Sequence, residues 1–300
     1  MPTPQLGIFA LGTPSHFHAE FDVPGGTGDD DVRGALGRLR AAGLSGTDLN
    51  VVVGFGAGLW RRLALADSPA ELRGFDTVGD PAGRHAPATQ HDLWVWVHGK
   101  STDLVFDGAR AAAGALGAAA ELSQEVACFA YRGRDLTGFV DGTENPPVEE
   151  APDVAIVPGD GPGAGGAYAI TQRWRHDLAA FGRLPIPEQE GVIGRTKSDS
   201  IELADDVKPA TAHIARVVVE DDDGEELEIF RRSLPYGTLA EHGLYFVAFS
   251  AQLGRFDTML ARMFGTGGDG LHDRLTEFTT PVSGSYYFAP SLESLAAVAD

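Results

Sequence analysis

The chain has 300 residues, 43% of them hydrophobic and 22% charged, with a formal net charge of −20. That allows one large or two ordinary folded domains with a real core, and no apolar run approaches the roughly 18–20 residues of a membrane-spanning helix. The acidic balance argues against binding a phosphate backbone, and Cys128, the single cysteine, excludes an intrachain disulfide, an Fe–S cluster or a Cys-rich zinc site. The N-terminus has no basic region ahead of its short apolar stretch. It reads as neither a secretory nor a twin-arginine signal, and the expected location is the cytoplasm.

Residues 6–10 are a short apolar run leading into 16–21, whose period-two pattern predicts a strand. Asp29, Asp30 and Asp31 offer an acidic helix start, and Val32, Leu36 and Leu39 follow at helical spacing. Residues 49–55 are a β-branched strand. Residues 92–98 form a second strand, apolar on both faces, as expected of one covered on each side. An Ala-rich helix is predicted over 104–122 and a strand over 126–131, with Cys128 as a small buried hydrophobe. Residues 146–166 are a Gly/Pro-rich connector. The same grammar then returns. A strand at 167–174 and a short helical segment at 187–193 precede a hairpin of 214–220 and 226–232 around Asp221–Gly224. A strand at 244–250, a helix at 253–264 and a strand at 286–288 close the chain. The expected class is α+β: two β-α-β-β-α-β halves with antiparallel sheets, residues 1–145 and 167–300, joined by the 146–166 connector.

Gly54, Gly56 and Gly58 follow a strand, but Leu59 stands where a dinucleotide fingerprint needs glycine, so a tight turn is the better reading. His16 and His18 face the same way on a strand. A metal pair there is conceivable, but exposed or structural roles fit better. His98 is read as capping core packing, while His85, His91, His176, His242 and His272 have no readable cluster. In residues 137–146 the apolar pair Phe139-Val140 runs directly into Asp141. An aspartate so placed is expected to be partly buried, which raises its pKa and suits it to proton transfer; a turn cap is the plain alternative.

Gly138-Phe139-Val140-Asp141-Gly142 matches the GxxDG motif of the dye-decolourising peroxidase family, and Thr143-Glu144-Asn145-Pro146 extends the likeness. The segment around His213, residues 211–216, resembles the family's proximal-histidine segment. Residues 230–237 resemble its distal-arginine segment, and residues 193–197 and 243–246 are similar too. The likeness spans nearly the whole chain and is greatest to the B-type bacterial subgroup. It implies two ferredoxin-like halves, with one haem b per chain held mainly by the C-terminal half. The activity it implies is reduction of hydrogen peroxide through a ferryl intermediate, with dyes, phenols or other small electron donors oxidised in turn.

By this resemblance His213 is the axial ligand of the haem iron, with Asp273 on its other ring nitrogen and Glu277 as second choice. Asp141 fits a proton shuttle and Arg231 the positive charge beside the O–O bond, their relative weight being open. Arg232 would point to the opposite strand face, so the family pattern selects Arg231 with Ser233 beside it. Ser233 departs from the Asn or Asp of other members. Leu244 and Phe246 resemble an apolar wall, Arg195 (with Lys197) a propionate partner, and Asn145 a further cofactor contact. Bulky donors would need a surface radical site among Trp60, Trp94, Trp96, Trp174, Tyr131, Tyr236, Tyr286 and Tyr287, although core packing is the default for each. The resemblance implies a homo-oligomer. Residues 291–300 lack the Gly/Leu-rich tail of encapsulin-directed relatives, so encapsulation is not expected. The rival readings are a haem protein for storage, delivery or iron release with incidental peroxidase activity, and a colourless partner-binding scaffold. Asp141 and Arg231 together favour the enzyme.

Overall fold

The computed structural model describes residues 2–80, 82–221 and 223–299. Its first half runs β1 (Ser15–Asp22), α1 (Asp29–Ala41), β2 (Leu49–Phe55), α2 (Ala57–Ala64), the short β3 (Val78–Gly79) and β4 (His85–Ala86), β5 (Leu93–Gly99), α3 (Thr102–Leu116) and β6 (Glu121–Phe129). The acidic first turn of α1 and the basic residues of its last turn, Arg38 and Arg40, complement the helix dipole. Every residue of β5 is buried, as its two-sided apolar pattern predicts.

Two expectations change here. The Ala-rich helix stops at Leu116 because Gly117 takes φ +57°, and β6 therefore begins at Glu121 rather than 126. The glycines after β2 mark a strand-to-helix junction rather than a simple turn. A Cβ on Gly56 would lie 2.5 Å from the His91 carbonyl oxygen, so only glycine lets α2 start there.

The second half runs α4 (Ala151–Ala155, inside the connector), β7 (Ala167–His176), α5 (Leu178–Gly182), α6 (Ile186–Ile193), α7 (His213–Val217), β8 (Phe230–Arg231), β9 (Leu234–Gly237), β10 (His242–Ser250), α8 (Gly254–Met263), β11 (Thr279–Pro281), β12 (Ser285–Ala289) and α9 (Leu292–Ala299). The strand expected at 214–220 is the helix α7, and the hairpin shrinks to one bridge, Glu220 with Glu226. Asp222, in its expected turn, lies outside the described residues. The β-branched run is overruled by tertiary contacts. Arg216 is buried, and its guanidinium donates to the carbonyls of Arg262 and Leu271 and to Asp269.

The strand orders are β2-β5-β1-β6 and β12-β7-β10-β9, antiparallel throughout. The two sheets meet at both edges, through Phe55 with Phe288 and Cys128 with Tyr236, so eight strands close into a barrel. Side chains alternate about the wall. Trp94, Trp96, Tyr245, Phe249 and Tyr287 fill the interior, while Leu93, Val95, Val97 and Ile170 join the core on the other face with residues of α1, α3 and α8. His16, His18 and His98 are buried and structural: His18 stacks on Tyr245 at 4.2 Å, and His98 on Trp96 at 4.1 Å. Cys128 is buried, which pushes its thiol pKa well up. No helix among the described residues is long and apolar enough to cross a membrane.

Candidate functional site

The outer faces of β7 and β10, roofed by α8, leave a cleft of about 990 Å³ including its mouth. Leu244, Phe246, Trp174, Phe256, Met259 and Met263 make it largely apolar, and Asp141, His176, His213 and Arg231 also line it. Its size and its few converging polar groups suit a small molecule or cofactor.

His213 opens α7. That helix can lie close on the end of α6 because Gly194 has no side chain. A Cβ there would lie 2.5 Å from Ile214 Cγ1, and the backbone is left-handed at φ +97°. The His213 Nδ1 lies 2.6 Å from Asp273 Oδ2. Asp273 is fully buried and rigidly held: its Oδ1 accepts from the Leu275 N–H at 2.8 Å, and its own N–H donates to the Met263 carbonyl at 2.8 Å. With Nδ1 committed, Nε2 has no hydrogen-bond partner among the described residues. Glu277, the second choice, instead meets His272 Nε2 at 3.1 Å.

Asp141 ends a tight loop in which Arg134 bridges Val140 and Gly138 takes φ +89°. Its side chain is exposed into the cleft but otherwise enclosed by protein. That burial pushes its carboxyl pKa up, the nearby Arg231 charge pulls it back, and the net shift is upward. Burial pulls Arg231 below the ordinary arginine value, while Asp141, Glu144 and Glu226 push it back up; an arginine remains cationic there. Its Nη2 is buried with no partner among the described residues.

Adjacent Arg232 points away, as alternation requires. It donates to the carbonyls of Ile8 and, at 2.8 Å, Ala10, and it lies 5.0 Å from the Trp96 ring centroid.

Leu244 and Phe246 line the cleft as expected. Asp273, behind His213, and the expected residues Asn145, Ser233, Arg195 and Lys197 do not. Asn145 clamps the Arg231 backbone, donating to its carbonyl at 2.9 Å and accepting from its N–H at 2.8 Å. Ser233 turns its hydroxyl to the sheet and accepts from the Val247 N–H at 3.2 Å. Arg195 pairs with Glu144 and donates to the Ser200 carbonyl at 2.7 Å, one residue removed from the cleft. Lys197 lies over the Phe139 ring and donates to Gln189 at 2.6 Å.

Sequence reasoning missed His176, which lines the cleft and meets Asp135 at 3.2 Å, since the two are 41 positions apart. It also missed the acidic rim of Glu144, Glu226 and Glu228. There burial, reinforced by Glu144 and Glu228, pushes Glu226 up.

The family model for the C-terminal part of Dyp-type peroxidases matches residues 132–294, and that for the N-terminal part matches residues 31–130. The chain belongs to the Dyp-type peroxidase family. This Dyp-type peroxidase is 40% identical over 263 residues to the dye-decolorizing peroxidase of Rhodococcus erythropolis, covering 86% of this chain and 75% of that one. DyPB from Rhodococcus jostii RHA1 superposes with a TM-score of 0.90 at 35% identity, covering 99% of this chain and 98% of its own. A DypB variant from the same organism, solved in complex with heme, gives 0.91 at 35% identity over 99% of both chains.

Proposed function

We propose that this peroxidase holds one haem b through His213 and reduces hydrogen peroxide with Asp141 and Arg231, taking electrons from dyes, phenols or other small donors. One observation carries the reading. An imidazole oriented by a fully buried carboxylate lines the same apolar cleft as a carboxyl of raised pKa and a guanidinium with an unpartnered nitrogen.

These residues fit the group. The apolar lining suits a flat macrocycle, and the unpartnered Nε2 of His213 suits iron. Bound there, haem supplies the two-electron reduction of peroxide and its stepwise return by the donor. Asp273 fixes the His213 tautomer and makes its imidazole a stronger electron donor. Asp141 takes a proton from one peroxide oxygen and delivers it to the other, which leaves as water. Its raised pKa brings it nearer to working pH, where a carboxyl can both accept and return a proton. Arg231 stabilises negative charge growing on the leaving oxygen. Leu244 and Phe246 keep bulk water from the reacting atoms. For Arg195 to hold a haem carboxylate, it would exchange Glu144 for it. The two equivalent strand orders support reading residues 1–145 and 167–300 as ferredoxin-like halves, the second contributing most of the cleft.

The test is peroxide-dependent dye oxidation by the haem-loaded chain and by Asp141→Asn and Arg231→Leu. One interaction made in the transition state and then lost costs roughly 10²–10³-fold. Both variants retaining full rates would refute these roles.

A further inference from the structure

His176 on the cleft wall and its partner Asp135 take no part in the chemistry above. Asp135 begins the loop that ends at Asp141. Its N–H donates to the Phe139 carbonyl at 2.9 Å, and its carbonyl accepts from the Gly138 N–H at 2.9 Å. With Arg134 bridging Val140, Asp141 directly follows one arm of a small hairpin whose other arm carries Asp135.

Both carboxylate oxygens of Asp135 are held. Oδ2 accepts from the N–H and the hydroxyl of Thr137, at 3.0 and 2.7 Å, and Oδ1 meets His176 Nε2 at 3.2 Å. His176 ends β7, and its Nδ1 lies 2.7 Å from the Thr279 hydroxyl on β11. The hairpin is therefore pinned to two strands. His176 and Thr279 line the same cleft as Asp141. His176 also lines a second, outer pocket with Arg175, His242 and Glu277. His176 thus stands in the wall between cleft and exterior, with Asp135 bonded to it.

We propose that Asp135, anchored by His176, is a positioning residue for Asp141: it fixes the loop carrying the reacting carboxyl and governs when that carboxyl exchanges its proton. The proposal rests on the reading of Asp141 as the proton carrier.

The electrostatics agree. Burial pushes the Asp135 carboxyl up, but its bonds to His176 and Thr137 outweigh this and hold it below the ordinary carboxylate range. It stays ionised beside Asp141. Of the groups acting on Asp141, Arg231 from β8 and His213 from α7 favour its ionised form, and Asp135 from its own loop opposes it. His176 from β7, Glu144 and the rim residue Glu226 share the cleft with these groups.

Asp135→Asn removes the charge and keeps the shape. The protonated carboxyl band of Asp141 is read by infrared titration of the cofactor-free protein, assigned against Asp141→Asn. Its midpoint is expected to move to lower pH in Asp135→Asn. In the haem-loaded chain, the acid limb of the peroxide reaction moves the same way. If Asp135→Asn does not fold, His176→Ala carries the same test: without the imidazole Asp135 protonates at higher pH, and the Asp141 midpoint falls with it. An unchanged midpoint with a uniformly lower rate means a merely structural role and overturns the proposal. A shifted midpoint in a chain whose loaded form ignores peroxide supports the positioning and refutes the peroxide reading alone.

Discussion

Asn145→Ala separates a residue that holds Arg231 from one that holds the cofactor. The Asn145 amide completes β8 on the side away from β10, through bonds of 2.9 and 2.8 Å to the Arg231 carbonyl and N–H. Each such bond contributes about 0.5–1.5 kcal/mol net, so losing two costs roughly 1–3 kcal/mol of stability. The catalytic cost is larger, because a displacement of about 1 Å in a positioned group can reduce a rate ~100-fold. Urea unfolding of the cofactor-free variant measures the first effect, and stopped-flow peroxide reaction of the loaded variant the second. In an Arg231→Leu background the rate effect of Asn145→Ala should vanish, while the stability loss persists because the backbone groups remain. Weakened haem binding, with stability and peroxide rate unchanged, would refute this reasoning and restore Asn145 as a cofactor contact.

The neighbouring arginines should behave oppositely. Arg232→Ala is expected to cost about 2–4 kcal/mol of stability through carbonyls left unpaired, with the peroxide rate per folded molecule unchanged; Arg231→Leu should do the reverse. Acid should destabilise the fold through its buried histidines. Burial holds His16, His18 and His98 neutral, the last pulled down to about 3, so all three titrate below the unfolded value. Below pH ~6.5 the unfolded chain takes up protons that the folded chain refuses. The stability these residues contribute is complete above that pH and is lost as pH falls toward the folded values. The slope is at most about 1.4 kcal/mol per pH unit for each residue, or about 4 for three, and equal urea midpoints at pH 7.5 and 5 would contradict it. Gly243→Ala should cost more than about 3 kcal/mol, since its Cβ would fall 1.8 Å from the Trp174 carbonyl oxygen and force β10 from β7; a thermal melt matching the parent would show otherwise.

The parts of the fold legible in the sequence are those where a local pattern and the tertiary structure ask for the same thing. Strand β5 reads as doubly covered because it is, and α8 because Phe256, Met259, Leu260 and Met263 all turn inward. The barrel closure was not legible, since each seam rests on a single residue pair. Helix α7 looked like a strand because Val217, Val218 and Val219 carry strand propensity, whereas what decides it, the bonding of Arg216 to Asp269 and to the carbonyls of Arg262 at the end of α8 and Leu271 beyond it, is remote in sequence. In the candidate site, motifs and strand alternation marked Asp141, His213 and Arg231, which the structure brings to one cleft, and Asp273, which it places against His213. Asn145 and Arg195 were also marked, but their bonds here, to the Arg231 backbone and to Glu144, were not legible, because a motif marks a position without saying which face of it touches what. His176 carried no signal, since its partners Asp135 and Thr279 are both far from it in sequence.

The most direct test of the central claim is the absorption spectrum of the haem-loaded chain and of its His213→Ala variant, before and after one equivalent of hydrogen peroxide. The account predicts a ferric Soret band that changes rapidly and stoichiometrically with peroxide in the parent, and a band that is lost or strongly altered in the variant. A stable band indifferent to peroxide would contradict the peroxidase assignment of this cleft, and an identical spectrum in His213→Ala would contradict the ligand.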